Sequence, residues 1–258
     1  MNTIGIIGTG NAAIFFAKRL THLGFDVKII WGRSIDKARA IATKVNAIFT
    51  DNTELFNNQK VDLILLCVKD DAIANIATWV RSKAVVAHCS GGLSIHVLKN
   101  CSNHTAVVYP LFTIKSKTNF RKKDIPFLWE TNDASTLKKI EHLLAIISSH
   151  SRQADSNQRL QYHIAAVFCN NFTNHLLGVS FEWLHKNNLP KDMLLPLLVA
   201  TYSDCIKNNP YEIQTGPAYR NDTLTTEKHS IELKKVPGFL ELYQTISRSI
   251  LQQRSSEI

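Results

Sequence analysis

The segment 4–13 constrains the fold of this chain more than any other. It reads Ile-Gly-Ile-Ile-Gly-Thr-Gly-Asn-Ala-Ala, an apolar run that predicts a strand and then a Gly-x-Gly-x-x-Ala turn into a helix. In this pattern Gly8 makes the turn, Gly10 lets the backbone approach a pyrophosphate, and Ala13 lets the helix pack closely on the strand. Because glycines also occur in ordinary strand-to-helix turns, a dinucleotide site needs support from other parts of the chain.

The end of the second predicted strand, residues 27–31, bears on which dinucleotide binds. A carboxylate at this place accepts the ribose hydroxyls of NAD, whereas a basic residue accommodates the 2′-phosphate of NADP. Here the strand ends in Trp-Gly-Arg-Ser, with Arg33 and Ser34 in place of an acid. A guanidinium can hold a phosphate through two hydrogen bonds, which favours NADP. The alternative is that Arg33 is a surface residue and Ser34 caps a helix over 35–45.

Two further strands are predicted at 62–68 and 85–89. The first is an uninterrupted apolar run, as expected for a parallel strand covered on both faces. Lys69 and Asp70 follow it at the carboxyl end, where ligands bind in open α/β sheets. We expect Asp70 or Asp71 to act first as a helix N-cap and second as a ligand contact. After the next strand, Ser90 and two glycines form either a plain turn or room for a nicotinamide ring.

The remaining pattern predicts two domains. Strands at 106–109 and 126–130, a helix at 134–148 and a short segment at 150–154 complete an α/β, doubly wound, mostly parallel Rossmann sheet. After about Ser156 the periodicity is helical, with helices predicted at 157–186, 193–207, 225–235 and 239–254. The sequence therefore predicts a dinucleotide-binding domain over 1–155 and an all-helical domain over 156–258.

The long predicted helix carries polar residues among apolar ones. At about 3.6 residues per turn, His163, Asn170 and Asn174 form one stripe, with Asn171 at its flank. Half-buried imidazole and amide groups need partners, which a cofactor or substrate in a cleft between the two domains would supply. The alternative is a face satisfied by other hydrogen bonds or by solvent.

A second polar cluster spans residues 214–222 and is followed by His229. It contains a glycine-proline turn together with Arg220, which could hold an anionic group, and Asp222, which could orient Arg220 or cap the next helix. A simple connecting turn explains the same residues equally well.

Composition excludes several classes of protein. The net charge of +9 is compatible with nucleic-acid binding, but the basic residues are scattered, which favours solvated surface. Five cysteines without a Cys-x-x-Cys pair argue against a disulfide framework and a metal site. We expect neither a secretory signal nor a membrane span, and a cytoplasmic location.

These motifs resemble a family of candidate NADP oxidoreductases that combine a Rossmann domain with a helical domain of unknown function. The family is distantly similar to pyrroline-5-carboxylate reductase and to deazaflavin-dependent NADP oxidoreductase. The most specific matching segments are 7–13, 88–91, 163–174 and, above all, 215–222 with His229. The resemblance implies a homodimer through the helical domain. It also implies NADP (NADPH) held by Gly8, Thr9, Gly10, Asn11, Ala12, Arg33 and Ser34. The end of the third predicted strand adds Val68, Lys69 and Asp70 to the predicted cofactor contacts.

The sequence therefore predicts an NADPH-dependent reductase of a small carbonyl or imine compound. His163 is the predicted general acid, because an imidazole exchanges protons near neutral pH. Asn171 or Asn170 would hydrogen-bond the substrate, Ser90 would relay or position it, and Arg220 would bind a carboxylate. The alternative is a sensor or scaffold that binds NADP(H) without hydride transfer, since the Lys-x-x-x-Asn pair of some hydroxyacid dehydrogenases is missing.

Overall fold

A computed structural model describes residues 1–256 and shows one eight-stranded sheet at the N-terminal end of the chain. The strand order is β3-β2-β1-β4-β5-β6-β7-β8, and all neighbours are parallel except β6 and β7. The strands are β1 (Thr3–Ile7), β2 (Asp26–Trp31), β3 (Ile48–Thr50), β4 (Leu63–Leu66), β5 (Val85–His88), β6 (Thr105–Pro110), β7 (Phe127–Thr131) and β8 (Ser151–Gln153). The first six follow the order of a dinucleotide-binding sheet, so the predicted doubly wound, mostly parallel fold is confirmed.

Helices connect the strands and continue alone after them. Those of the sheet region are α1 (Asn11–His22), α2 (Ile35–Ala42), α3 (Thr53–Asn57), α4 (Asp70–Ala77) and α5 (Ala134–Ile147). The later ones are α6 (Ser156–Ala166), α7 (Thr173–Lys186), α8 (Leu195–Lys207), α9 (Pro217–Arg220), α10 (Thr223–Leu233) and α11 (Phe239–Ser256). A π-helical segment, Val167–Phe172, joins α6 to α7, so the predicted long helix is present with one irregular turn.

The core lies on both faces of the sheet. One buried cluster includes Phe16, Leu20 and Ile140, and the other includes Ile64, Ile73 and Phe56. The four residues of β4 are all buried, as the apolar run predicted. Because the strands β1, β4, β5 and β6 are parallel, their carboxyl ends lie at one edge, and the loops that follow them meet there.

The chain divides into two compact units, residues 1–170 and 171–258. Helix α6 therefore groups with the sheet, and the domain boundary predicted at 155/156 stays a prediction; residues 257 and 258 lie outside the described residues. Within residues 1–256, no helix combines the length and hydropathy needed to cross a membrane. No cluster of three or more His, Cys, Asp or Glu side chains suited to a metal ion occurs in that range either.

Candidate dinucleotide and active site

The turn after β1 can be made only with glycine at its first position. The backbone N–H of Gly8 donates to the carbonyl of Trp31 at 2.9 Å, which ties the turn to the end of β2. Gly8 has φ of +130°, and an added Cβ would lie 2.2 Å from the carbonyl oxygen of Cys67. Since no side chain fits there, Gly8 has the structural role that the sequence pattern predicted.

The second glycine of the turn leaves open space at a helix N-terminus. Gly10 is the N-cap of α1 and provides no side-chain hydrogen bond to the first turn. A Cβ added to Gly10 would meet no atom of the described residues within 4 Å. Backbone N–H groups in the first turn of an uncapped helix are suited to bind an anion. The predicted residues Thr9, Asn11 and Ala12 belong to this same turn and first helical residues.

Arg33 and Ser34 lie next to the glycine turn. A Cβ on Gly32 would lie 2.3 Å from Cγ2 of Thr9, so the end of β2 packs directly on the turn. Ser34 is the N-cap of α2, but its side chain makes no capping hydrogen bond, contrary to the alternative in which it caps the helix. Across residues 1–256, the exposed Arg33 makes neither a hydrogen bond nor an ion pair. An unpaired guanidinium and a free hydroxyl beside an uncapped helix fit a dinucleotide with a 2′-phosphate.

The loop after β4 differs from the sequence expectation in one respect. The N-cap of α4 is Lys69, not Asp70 or Asp71, and that expectation was wrong. The helix begins at Asp70, which therefore lies in its first turn. There the Oδ2 atom of Asp70 accepts a hydrogen bond of 2.7 Å from the hydroxyl of Ser90. Val68, also predicted to contact the cofactor, is half-buried just before Lys69.

Ser90 has all its hydrogen bonds within this edge of the sheet. Its hydroxyl donates to Asp70 and accepts from the backbone N–H groups of Gly92 and Leu93, each at 3.1 Å. The backbone N–H of Ser90 donates to Nδ1 of His88 at 3.2 Å. His88 is fully buried, and this burial, followed by the charge of Arg159, lowers its pKa to about 4. A neutral histidine therefore supports the Ser90 loop from the core side.

Tyr109 is a site residue that sequence reasoning missed. It lies in β6, and its hydroxyl is 3.0 Å from Nδ1 of His163 in α6. A Cβ on Gly91 would lie 2.7 Å from Cζ of Tyr109, so the glycine makes room for the ring. Burial raises the pKa of the Tyr109 phenol, and the negative charge of Asp70 adds to this effect. The signal that could have identified Tyr109 is its place next to Pro110, at the carboxyl end of a parallel strand.

A buried arginine holds α6 against the sheet. Arg159 is 0% exposed, and it donates to the carboxylate of Glu130 in β7 and to the carbonyl oxygens of Ala154 and Leu93, the latter at 2.8 Å. The bond to Leu93 joins α6 to the loop that starts at Ser90. The helix that carries His163 is therefore fixed to β7 and to the loop that follows β5.

The π-helical segment changes the spacing of the predicted polar stripe. Wider turns between residues 167 and 172 mean that the step from His163 to Asn170 does not follow 3.6-residue spacing. The amide of Asn170 nevertheless donates to the hydroxyl of Thr113, which follows β6. His163 and Asn170 thus both contact the segment 109–113, at Tyr109 and Thr113 respectively. Asn171 and Asn174 belong to the second unit.

The polar cluster 214–222 lies in the second unit and forms a double turn. Gly216 has φ of +110° and Asn221 has φ of 56°, and between them lies the short helix α9, which ends at the exposed Arg220. Asp222 caps α10 by accepting from the N–H of Thr225 at 3.0 Å, so the predicted capping role is confirmed. Hydrogen bonds from Thr225 lower the pKa of the Asp222 carboxyl. The substrate roles of Arg220 and Asn171 stay predictions.

Known proteins resemble the chain over nearly its whole length. Residues 3–88 match the family described as NADP oxidoreductase coenzyme F420-dependent, and residues 125–250 match a domain of unknown function, DUF2520. The crystal structure of a candidate NADP oxidoreductase from Bacteroides fragilis is 33% identical, with a TM-score of 0.88, over 97% of this chain and 98% of that one. The chain belongs to this family. The family resemblance stated from the sequence motifs is therefore confirmed.

More distant matches show the fold alone. A pyrroline-5-carboxylate reductase from Streptococcus pyogenes is 16% identical with a TM-score of 0.63, over 98% of each chain. A reductive aminase from Aspergillus terreus, solved with NADPH, is 14% identical with a TM-score of 0.69, over 98% of this chain and 95% of that one. The human glucose-fructose oxidoreductase domain-containing protein 2 is 31% identical over 67 residues, which are 25% of this chain and only 17% of that protein.

Proposed function

We propose that this protein is an NADPH-dependent oxidoreductase that reduces a small carbonyl or imine compound. The observation that carries the proposal is that an uncapped glycine turn with an unpaired Arg33 lies at the same sheet edge as the Tyr109–His163 pair. A dinucleotide site and a proton-exchanging side chain at one edge suit hydride transfer coupled to proton transfer. The family match to NADP oxidoreductases supports the same class of reaction.

The chain would hold the dinucleotide with its backbone and with few side chains. The amides at the start of α1 would bind the pyrophosphate, and Arg33 with Ser34 would bind the 2′-phosphate. Val68, Lys69 and Asp70 lie at the neighbouring strand end, within the same row of loops. When bound, the reduced nicotinamide supplies a hydride.

His163 would give a proton to the heteroatom of the substrate. Asn170 would help to hold the helical segment that carries His163, through its hydrogen bond to Thr113. Ser90 would act through Asp70 and the following loop, because its hydroxyl proton is already donated to that carboxylate. Arg220 and Asn171 would bind polar groups of the substrate, as the sequence predicts.

The second unit supports a homodimer. No side chain in residues 171–254 is buried within the chain, although the unit contains many large apolar residues. The exposed fractions reach 71% for Val199, 75% for Met193 and 82% for Ile206. Helices that bury no core of their own need another apolar surface, which a second copy would provide. We also keep the expectation of a reducing cytoplasm, consistent with five free cysteines.

The proposal is tested by NADPH oxidation with a panel of keto acids, aldehydes and cyclic imines. We expect turnover with at least one compound, and a loss of about 100-fold in kcat for His163→Ala with the affinity for NADPH unchanged. Tyr162→Phe is the matched control, because Tyr162 is adjacent on α6. Tight NADPH binding with no turnover on any compound would instead support the sensor or scaffold.

A further inference from the structure

One side-chain pair at the site has a geometry that specifies which atom exchanges the proton. The Tyr109 hydroxyl is 3.0 Å from Nδ1 of His163, and the two rings meet edge to face, with their centroids 6.0 Å apart at 77°. Within residues 1–256, the imidazole of His163 has one hydrogen-bond partner, the hydroxyl of Tyr109 at Nδ1. The Nε2 atom of His163 has no partner in that range. The two nitrogens of this imidazole are therefore in different environments.

We infer that Tyr109 is a positioning residue, which occupies Nδ1 of His163 and so makes Nε2 the nitrogen that delivers the proton to the substrate. The inference rests on the proposed function, because it names the proton donor of that reaction. Tyr109 does not contact the reacting atoms itself and acts through the imidazole.

The proton transfer balances without any further reactant. In the imidazolium form, the Nδ1–H of His163 donates to the oxygen of Tyr109. The Nε2–H bond breaks, its electron pair stays on Nε2, and the proton forms a bond to the oxygen or nitrogen whose carbon receives the hydride. The ring becomes neutral, and solvent returns a proton to Nε2.

Two structural features keep Tyr109 and His163 in this arrangement. The ring of Tyr109 is confined by Gly91, where a Cβ would come within 2.7–3.0 Å of three ring carbons. Buried Arg159 fixes α6 to Leu93 and Glu130. Burial and the nearby Asp70 raise the pKa of Tyr109, so the phenol stays protonated around neutral pH. In both states of the ring the neutral phenol oxygen accepts from Nδ1–H.

The test combines nitrogen NMR of the histidine rings with kinetics. The Nδ1 and Nε2 signals of His163 are assigned in the full-length protein by their loss in His163→Gln. In Tyr109→Phe we expect the Nδ1 signal to shift clearly more than the Nε2 signal, because only Nδ1 loses a hydrogen bond. Gly91→Ala should give the same shift by displacing the ring. Gly92→Ala should not, because its Cβ would lie 3.8 Å from Asp70 and more than 4 Å from any atom of Tyr109.

In kinetics we expect Tyr109→Phe to lower kcat about tenfold and to alter its pH profile, with KM for NADPH unchanged. Unchanged Nδ1 and Nε2 signals in Tyr109→Phe would overturn the inference, even if the enzyme is active. If no substrate is reduced, the proposed function fails, whereas the NMR comparison still decides whether Tyr109 holds Nδ1. A loss of folding in Tyr109→Phe would show as dispersed signals collapsing, and the Gly91→Ala shift then decides between the two outcomes.

Discussion

The two units of this chain reach their structures in different ways. The first buries nearly every apolar side chain of its central strands, including all four residues of β4 and β5. The second has helices of similar apolar content but buries none of its side chains between residues 171 and 254. The first unit can therefore stabilise itself, whereas the second needs an added surface. On this contrast rests our proposal that the first region binds the dinucleotide and the second self-associates.

The largest effect is expected in the first unit, from Gly8→Ala. The added Cβ would clash with the carbonyl of Cys67 at 2.2 Å, and φ of +130° is unfavourable for alanine. We expect the free energy of unfolding to fall by about 4 kcal/mol. Chemical denaturation measures this loss. Gly24→Ala is the control for positive φ alone, since its Cβ would meet nothing within 4 Å in the part of the chain that the structure describes. Equal losses of unfolding free energy in the two variants would show that the contact with Cys67 adds nothing to the cost of a positive φ.

Acid should weaken the first unit through His88. The pKa of His88 is about 4 in the folded chain, below the ordinary value near 6.5. Below about pH 6.5 the unfolded chain therefore binds the proton more readily than the folded chain does. Stability is therefore complete above about pH 6.5 and decreases by about 3 kcal/mol as the pH falls to about 4.

Denaturation at several pH values in His88→Asn tests this prediction. Asparagine keeps an acceptor for the N–H of Ser90 but does not titrate, so the dependence on pH should flatten. His142→Asn is the control, because His142 is exposed on α5. An unchanged slope in His88→Asn would refute the assignment.

The second unit should be sensitive to substitutions at positions exposed in a single chain. Val199→Asp on α8, where the side chain is 71% exposed, should weaken self-association by about 30-fold, or about 2 kcal/mol. Leu55→Asp, 44% exposed in the first unit, should leave it unchanged. Sedimentation over a range of concentrations measures both. A wild-type mass equal to the 29.1 kDa of one chain at all concentrations would show that the protein is a monomer and refute the proposed homodimer.

A smaller effect should separate the two cofactors. Arg33→Ala should weaken NADPH binding about tenfold and leave NADH binding unchanged, because only NADPH carries the 2′-phosphate. Arg39→Ala is the matched control, since Arg39 lies on the adjacent helix α2 and pairs with Asp36 at 3.6 Å. Equal losses for both cofactors would show that Arg33 does not read the phosphate.

The sequence predicted most of the first unit because its signals are local. Apolar runs ending in glycine, serine or aspartate predicted β1, β2, β4 and β5. The three-residue strand β3 and the short helix α3 were missed, since neither is long enough to show a period.

The candidate site was predicted only in part. The Gly8–Gly10 turn and the end of β2 at Arg33 are local in sequence, so a dinucleotide role could be predicted for them from the sequence alone. The partners Asp70 with Ser90, and Tyr109 with His163, are separated by 20 and 54 residues. Such pairs depend on the packing of strands and helices, and the π-helical segment that contains Asn170 and Asn171 has no local signal of its own.

Calorimetric titration of NADPH into the wild-type protein and into Gly10→Ala tests the central claim most directly. A Cβ at Gly10 would meet no atom of residues 1–256 within 4 Å, but it would occupy the space where we propose that the pyrophosphate approaches. We therefore predict saturable binding to the wild type and a loss of about 100-fold or more in Gly10→Ala, with thermal unfolding within about 3 °C of the wild type. Equal NADPH affinity in the two proteins would contradict the proposal that the glycine turn binds the pyrophosphate.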